Sequence, residues 1–94
     1  RAYFVLSADW AREVLSPSTA ALDRGRKLAV YARERTSHVW LIEPVSQTLE
    51  VLRLDGETYR IVQVATGDAV VRAEPFDAIE IAVGTLFGDD PPEP

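Results

Sequence analysis

The sequence predicts a single α/β domain built on a mixed (α+β) sheet. Three observations support this prediction. A strand, a helix and a second strand follow one another between residues 9 and 42, a spacing typical of a crossover between two parallel strands. Two strand-like runs then flank Asp55-Gly56, a strong signal for an antiparallel hairpin. The chain has 94 residues, 47% hydrophobic and 27% charged, as expected for one small domain with a modest core.

The first extended runs are residues 3–6 and 9–15. In the second run, strand alternation places Asp9 and Glu13 on the same face. From the rise per residue they are about 13 Å apart, too far for both carboxylates to bind one metal ion on a straight strand. Of the two, Glu13 near the end of the strand is the better candidate for a single ligand of Mg²⁺ or Mn²⁺, which prefer oxygen donors.

A helix is predicted over residues 20–35, because Pro17 ends the strand and the neighbouring hydroxyl side chains favour a helix start. Its apolar side is formed with Leu22, Leu28, Ala29 and Ala32. Gly25 within it costs roughly 1 kcal/mol relative to alanine. That cost is tolerable if the glycine permits close packing or access to a site.

Lys27 is the single lysine of the chain, since the other nine basic residues are arginines. Asp23 precedes it by four residues, so a surface ion pair on the helix is one interpretation. The other interpretation is functional, because a lysine is a compact and mobile charge that can stabilise a transition state near a metal ion and a phosphate. No phosphate-binding GxxxxGK[ST] loop surrounds it.

The second half of the chain reads as a succession of strands. They are a buried strand at residues 39–42, hairpin strands at 48–54 and 58–65, and short strands at 70–72 and 79–83, followed by a helical turn at 85–87. We expect Trp10 and Trp40 to lie in the core, and His38 to be a loop residue rather than a ligand. Residues 89–94, rich in proline and acid, are expected to be a disordered tail.

The composition excludes several classes of site. There is no cysteine, which excludes disulfides and thiolate zinc sites, and one histidine, which excludes a multi-histidine metal site within the chain. No apolar run approaches the ~20 residues that span a bilayer, so we expect a cytoplasmic protein without membrane contact.

The net charge of −5 argues against non-specific binding to nucleic acid. The charge is uneven, however, because residues 1–38 carry seven basic and four acidic residues. This half could present a basic face to a phosphate backbone, with Arg24 and Arg26 as candidate DNA contacts, or simply a solvated helix face.

The ordered segments EVLSPST, DRGRKLAVYA, HVWLIEP and a TLEV hairpin strand closely resemble the Uma-two family of restriction-endonuclease-like proteins, in the PD-(D/E)XK nuclease superfamily. The later segment AVVRAEPFDAIEI is similar to the family's C-terminal strands. The resemblance implies a mixed sheet flanked by helices, with metal ligands on adjacent core strands. It also implies hydrolysis of DNA phosphodiesters with Mg²⁺ or Mn²⁺.

The resemblance also implies roles for individual residues. Glu13 matches the acidic member of the (D/E)XK element, whereas Leu15 stands where that element has lysine. Lys27 on the following helix takes the role of the basic residue, so Glu13 holds the metal ion and Lys27 stabilises the developing charge. Asp9 is a partial substitute for the proline-aspartate element, which the family carries on an upstream strand and this chain lacks. Arg12 intrudes at a position that is usually apolar, and alternation should turn it away from Glu13.

We therefore interpret residues 1–88 as the C-terminal part of a restriction-endonuclease-like domain whose N-terminal part is missing. An alternative is a non-catalytic remnant that acts as an interaction module or forms a homodimer, because a missing strand leaves a sheet edge open to a partner strand. A third interpretation is a basic-faced DNA-binding domain that needs no metal and whose affinity depends steeply on salt.

Overall fold

A mixed four-stranded sheet, flanked by one helix, forms the centre of the part of the chain that the structure describes. The structure is a computed structural model that describes residues 10–15 and 20–87, with only the backbone for residues 20–23. The sheet has the order β1-β2-β3-β4, with β1 at Trp10–Val14, β2 at His38–Glu43, β3 at Thr48–Asp55 and β4 at Thr58–Thr66. Helix α1, Ala20–Arg33, connects β1 to β2. These two strands are parallel and the other pairings are antiparallel, which confirms the predicted mixed sheet.

A smaller antiparallel pair follows the main sheet. It consists of β5, Val70–Val71, and β6, Ile81–Ala82, and leads into a 3₁₀ helix at Val83–Phe87. Both strands are shorter than the sequence predicts. The predicted strand at residues 3–6 and the predicted tail at residues 89–94 lie outside the described residues. No helix in the described part of the chain is long and apolar enough to span a membrane.

Strand β2 is buried on both of its faces, as its continuous apolar run predicts. Val39 and Leu41 face α1, whereas Trp40 and Ile42 face the opposite side. The α1 side, here called the helix-side core, contains Leu15, Val39, Leu41 and Leu52, with partly buried Ala11, Leu28, Tyr31 and Tyr59 packed against them. The opposite side, the far-side core, contains Trp40, Ile42, Leu49, Val51, Ala65, Ala73 and Val83.

Helix α1 ends at Arg33, two residues before the predicted end. Arg35 has a φ of +62°, in the left-handed region that closes many helices. The N–H of Thr36 donates to the carbonyl of Tyr31 at 3.0 Å, and the N–H of Arg35 donates to the carbonyl of Ala32 at 3.1 Å. This Schellman-type closure turns the chain directly into β2.

The predicted β3–β4 hairpin is confirmed, although Asp55 of the predicted Asp55-Gly56 dipeptide belongs to β3. Asp55 pairs with Thr58, so Gly56 and Glu57 form a two-residue turn. Gly56 has a φ of +71°, which glycine adopts without steric cost. Elsewhere, a Cβ added at Gly25 would meet no atom of the described residues within 4 Å, apart from the backbone of α1 itself, so close packing against them does not explain that glycine.

The tryptophans lie in the far-side core, as predicted. Trp40 is 3% exposed, and the partly buried Trp10 packs edge-to-face on it with ring centroids 5.4 Å apart. Phe76 completes the cluster with centroids 5.0 Å from Trp10 and 5.8 Å from Trp40. The prediction that His38 is a loop residue is wrong, because it is the first residue of β2 and pairs with Trp10 and Arg53 in the sheet.

Candidate active site

Glu13 and Lys27, the two residues that the sequence singles out, are in contact. Glu13 is the fourth residue of β1, and alternation places it on the α1 side together with Ala11 and Leu15. The Nζ atom of Lys27 donates to Oε1 of Glu13 at 2.9 Å. The two side chains are 41% and 20% exposed, respectively. The pair therefore lies between sheet and helix, with solvent access on the lysine side.

The second oxygen of the same carboxylate has its own donor. The hydroxyl of Tyr31 donates to Oε2 of Glu13. Lys27 and Tyr31 are four residues apart on α1, so both project from one side of the helix. Leu28, between them, packs into the helix-side core and holds that side of α1 against the sheet. Tyr31 is not among the site residues predicted from the sequence, although its four-residue spacing from Lys27 could have identified it.

A second cation–carboxylate pair joins α1 to the sheet. Glu13 and Glu50 lie in one cross-strand row, because each pairs with Leu41 of the central strand β2. Arg24 extends to Glu50, with Nη2 2.5 Å from Oε1. The side chains are 34% and 24% exposed, respectively. Arg24, a candidate DNA contact, therefore already has a carboxylate partner. Glu50 lies beside the candidate site but was not predicted from the sequence.

The other residues predicted from the sequence either have a different location or lie outside the described residues. Arg26 is exposed on α1. Arg12 pairs with Trp40 across β1 and β2 and is exposed on the face opposite Glu13, as predicted. Asp9 lies outside the described residues, and so does the side chain of Asp23, so the proposed surface pair between Asp23 and Lys27 has no structural description.

The donor chemistry of the described residues fits part of a magnesium site. No group of three His, Cys, Asp or Glu side chains converges within residues 10–15 and 20–87. Mg²⁺, however, is commonly held by one or two carboxylates, keeps several waters and contacts substrate phosphates. Each carboxylate oxygen can accept two hydrogen bonds or ligands, so the Glu13 carboxylate has lone pairs beyond those used by Lys27 and Tyr31. Glu13 thus fits the role of one ligand.

A separate polar cluster lies on the far side of the sheet. Glu74 Oε1 is 2.9 Å from Nε2 of His38, and the Arg53 guanidinium donates to both Glu74 oxygens at 3.1 and 2.9 Å. The hydrogen bond with His38, and then the charge of Arg53, hold the pKa of Glu74 below its usual value. Trp40 Nε1 donates to the Glu74 carbonyl at 2.7 Å, so this cluster fastens the segment after β5 to the sheet.

The chain matches the model of the Uma2 family, described as "Putative restriction endonuclease", over residues 1–84. Among solved structures it is similar to a crystal structure described as "a putative nuclease belonging to DUF820" from Anabaena variabilis ATCC 29413, with 29% identity and a TM-score of 0.61. That similarity covers 89% of this chain and 46% of the other chain, so the present chain spans less than half of its neighbour's length. None of the curated proteins matches. Because the family match extends over most of its length, the chain belongs to the Uma2 family.

Proposed function

We propose that Glu13 and Lys27 belong to the active site of a metal-dependent DNA endonuclease. In that site Glu13 binds the metal ion and Lys27 stabilises the transition state. The observation that supports this most directly is the 2.9 Å contact between Lys27 and Glu13, two residues from different elements of a chain in a restriction-endonuclease family. Since the chain spans 46% of its nuclease neighbour, the activity is proposed for a complete nuclease domain that contains these residues.

In this proposal Glu13 holds Mg²⁺ or Mn²⁺ through its carboxylate. The bound cation would supply Lewis-acid polarisation of the phosphate and an activated water. Glu13 is suited to this task because its side chain is partly shielded and its orientation is set by two donors. Asp9, as a second ligand, remains a prediction from the sequence.

Lys27 would act on the phosphate rather than on the metal ion. Its side chain is 41% exposed, so the ammonium can rotate from Glu13 toward a bound phosphodiester without opening a cavity in the core. A preorganised cation aimed at developing negative charge typically accelerates such reactions by about 10²–10³-fold. An ammonium suits this position because it is small and mobile, whereas a guanidinium is a planar fork.

The DNA partner would be held mainly through its phosphates. Arg26 is exposed on α1, one residue from Lys27, and is the stronger candidate contact. Arg24 would first have to separate from Glu50, which lies 2.5 Å away. Such contacts to phosphate position the protein without reading sequence. The cytoplasmic location stays a prediction.

The test is DNA cleavage by the complete nuclease domain in Mg²⁺ or Mn²⁺. We expect Glu13→Ala and Lys27→Ala each to lose at least about 100-fold in rate, and chelation to abolish cleavage. Matched controls are Glu57→Ala and Arg60→Ala, which remove exposed charges of the β3–β4 hairpin. Wild-type rates in both Glu13→Ala and Lys27→Ala would overturn the proposed function.

A second candidate is a non-catalytic dimerisation module. In the described sheet β4 is an outer strand, and its side chains Ile61 and Val64 are 48% and 56% exposed. Outer strands with exposed apolar residues readily pair with another chain. Light scattering across a range of concentrations tests this, since the module predicts a dimer that Ile61→Lys weakens, and a monomer at all concentrations excludes it.

A further inference from the structure

We propose that Tyr31 is the positioning residue that fixes the Glu13 carboxylate for a divalent cation. The inference rests on the proposed function, because it assigns the part of the site that makes Glu13 an effective ligand. Its basis is the convergence of two donors from one side of α1 on the two oxygens of a single carboxylate.

The two donors differ in how firmly they are held. The Tyr31 ring is partly buried and packs against the helix-side core, so its hydroxyl has a defined location. Lys27 is 41% exposed and carries its ammonium on a flexible four-carbon stem. When Lys27 turns toward a phosphate, Tyr31 is therefore the donor that keeps the carboxylate in place.

A fixed carboxylate binds a cation more tightly than one that samples several orientations. Ligating carboxylates are usually hydrogen-bonded by neighbouring groups, and loss of such a neighbour typically costs about 10–100-fold in metal affinity. Tyr31 uses one lone pair of Oε2 and leaves the other available to a cation. It orients the ligand without occupying the coordination position.

The chain offers a matched control in Tyr59. Both tyrosines pack against the helix-side core, and each donates through its hydroxyl, but the Tyr59 hydroxyl donates to the carbonyl of Thr36 at 2.5 Å. Tyr31→Phe and Tyr59→Phe therefore remove the same atom from comparable surroundings. They differ in whether Glu13 loses a donor.

The first measurement is the binding of Mn²⁺ to the complete nuclease domain that contains these residues, by calorimetry. We expect the Kd of Tyr31→Phe to rise by about 10–100-fold, and that of Tyr59→Phe to stay at the wild-type value. Glu13→Ala, measured alongside, should abolish binding. Because both phenylalanine variants keep the aromatic ring, general damage to the core would affect them alike.

The second measurement needs no metal. Unfolding of wild type, Tyr31→Phe, Glu13→Ala and the double variant forms a cycle that isolates the interaction between the two side chains. We expect Tyr31→Phe to destabilise the wild-type background more than the Glu13→Ala background. Equal effects in both backgrounds would show that Tyr31 does not hold Glu13 and would overturn the inference.

The outcomes separate this inference from the proposed function. If wild type binds Mn²⁺, Glu13→Ala does not, and Tyr31→Phe binds like wild type, the inference fails while the proposed function stands. If wild type does not bind Mn²⁺, or Glu13→Ala binds it equally well, the assignment of Glu13 as a ligand fails and the inference fails with it. If Glu13→Ala does not bind Mn²⁺, and Tyr31→Phe binds it more weakly than wild type and Tyr59→Phe do, both the inference and the proposed function are supported.

Discussion

The ammonium of Lys27 lies 2.9 Å from the carboxylate of Glu13, across 14 positions of sequence. A partly exposed ion pair of this kind contributes only about 0.2–1 kcal/mol to the free energy of unfolding. The gain in stability from this contact is therefore small. The contact has more significance under the nuclease proposal, in which Lys27 is the cation that acts on the phosphate and Glu13 is the metal ligand.

Replacing Lys27 with arginine tests whether the site requires an ammonium. The charge is retained, but the planar guanidinium is larger and donates in a fixed fork. We expect Lys27→Arg to fold and bind Mn²⁺ like wild type, and to cleave DNA at a rate within about tenfold of Lys27→Ala, because transition-state stabilisation depends on geometry. Single-turnover cleavage at saturating metal measures this rate.

The contrary result is equally informative. If Lys27→Arg cleaves at the wild-type rate, a positive charge of any shape suffices and the specific role of the amine is wrong. Thermal unfolding of both variants provides the control, since the exposed pair should change stability by no more than about 1 kcal/mol.

Arg24 and Arg26 should behave differently although they are two residues apart. Arg26→Gln removes an exposed charge, so we expect unchanged stability and a salt dependence of DNA affinity that is weaker by about one unit of slope. Arg24→Gln removes the charge that pairs with the partly buried Glu50 carboxylate at 2.5 Å, so we expect a stability loss of about 0.2–1 kcal/mol. Denaturant unfolding and salt-dependent binding distinguish them, and identical behaviour would contradict the structure.

Gly25→Ala should stabilise the chain. Gly25 is exposed within α1, and among the described residues an added Cβ meets no atom within 4 Å other than the backbone of the helix, so the substitution gains helix propensity without a clash. The expected gain is about 0.5–1 kcal/mol in the free energy of unfolding. Denaturant titration checks it, and a loss of stability would contradict the conclusion that the added Cβ is accommodated without a clash.

The sheet could be predicted from sequence because its signals are local. The apolar run of β2 and the Asp55-Gly56 turn each specify their own element, and the short crossover leaves few ways to connect β1 and β2. The end of α1 was misplaced because Arg35 adopts a positive φ, which is usually a glycine conformation. Composition carries no sign of that choice.

The site was predicted only in part, for a related reason. Glu13 and Lys27 were selected from the end of the first strand, the single lysine and the family resemblance. The structure brings the two side chains into contact, and their roles stay predictions. The pairing of Arg24 with Glu50 depends on the register of β3 and on how α1 crosses the sheet. The contact between His38 and Glu74, 36 residues apart, depends on tertiary packing that no sequence spacing reveals.

At high pH, Tyr59 should limit the stability of the fold. Burial raises its pKa from 10.0 to about 12, against the opposing charge of Arg35. Because the pKa is raised in the folded state, the stabilisation is fully present below pH 10 and is lost as the pH rises toward 12. Tyr59→Phe should flatten this decline in chemical unfolding at pH 9–12, and an unchanged profile would assign it to another group.

At low pH, Glu74 should limit the stability of the fold. The hydrogen bond with His38 and the charge of Arg53 lower the Glu74 pKa from 4.5, so the folded state favours the carboxylate more than the unfolded state does. Its contribution is therefore present above pH 4.5 and is lost as the pH falls through the lowered pKa. Glu74→Gln, which keeps the shape of the side chain, should make unfolding less dependent on pH between about 5 and 3.

The matched control for that change is Glu80→Gln. Glu80 is 65% exposed and pairs with Arg72 at 3.8 Å, so removal of its charge should change the free energy of unfolding little. If Glu80→Gln flattens the acid profile as much as Glu74→Gln does, general surface charge explains the acid sensitivity. If only Glu74→Gln does so, the cluster of His38, Arg53 and Glu74 fastens the segment after β5 to the sheet through the charge of that carboxylate.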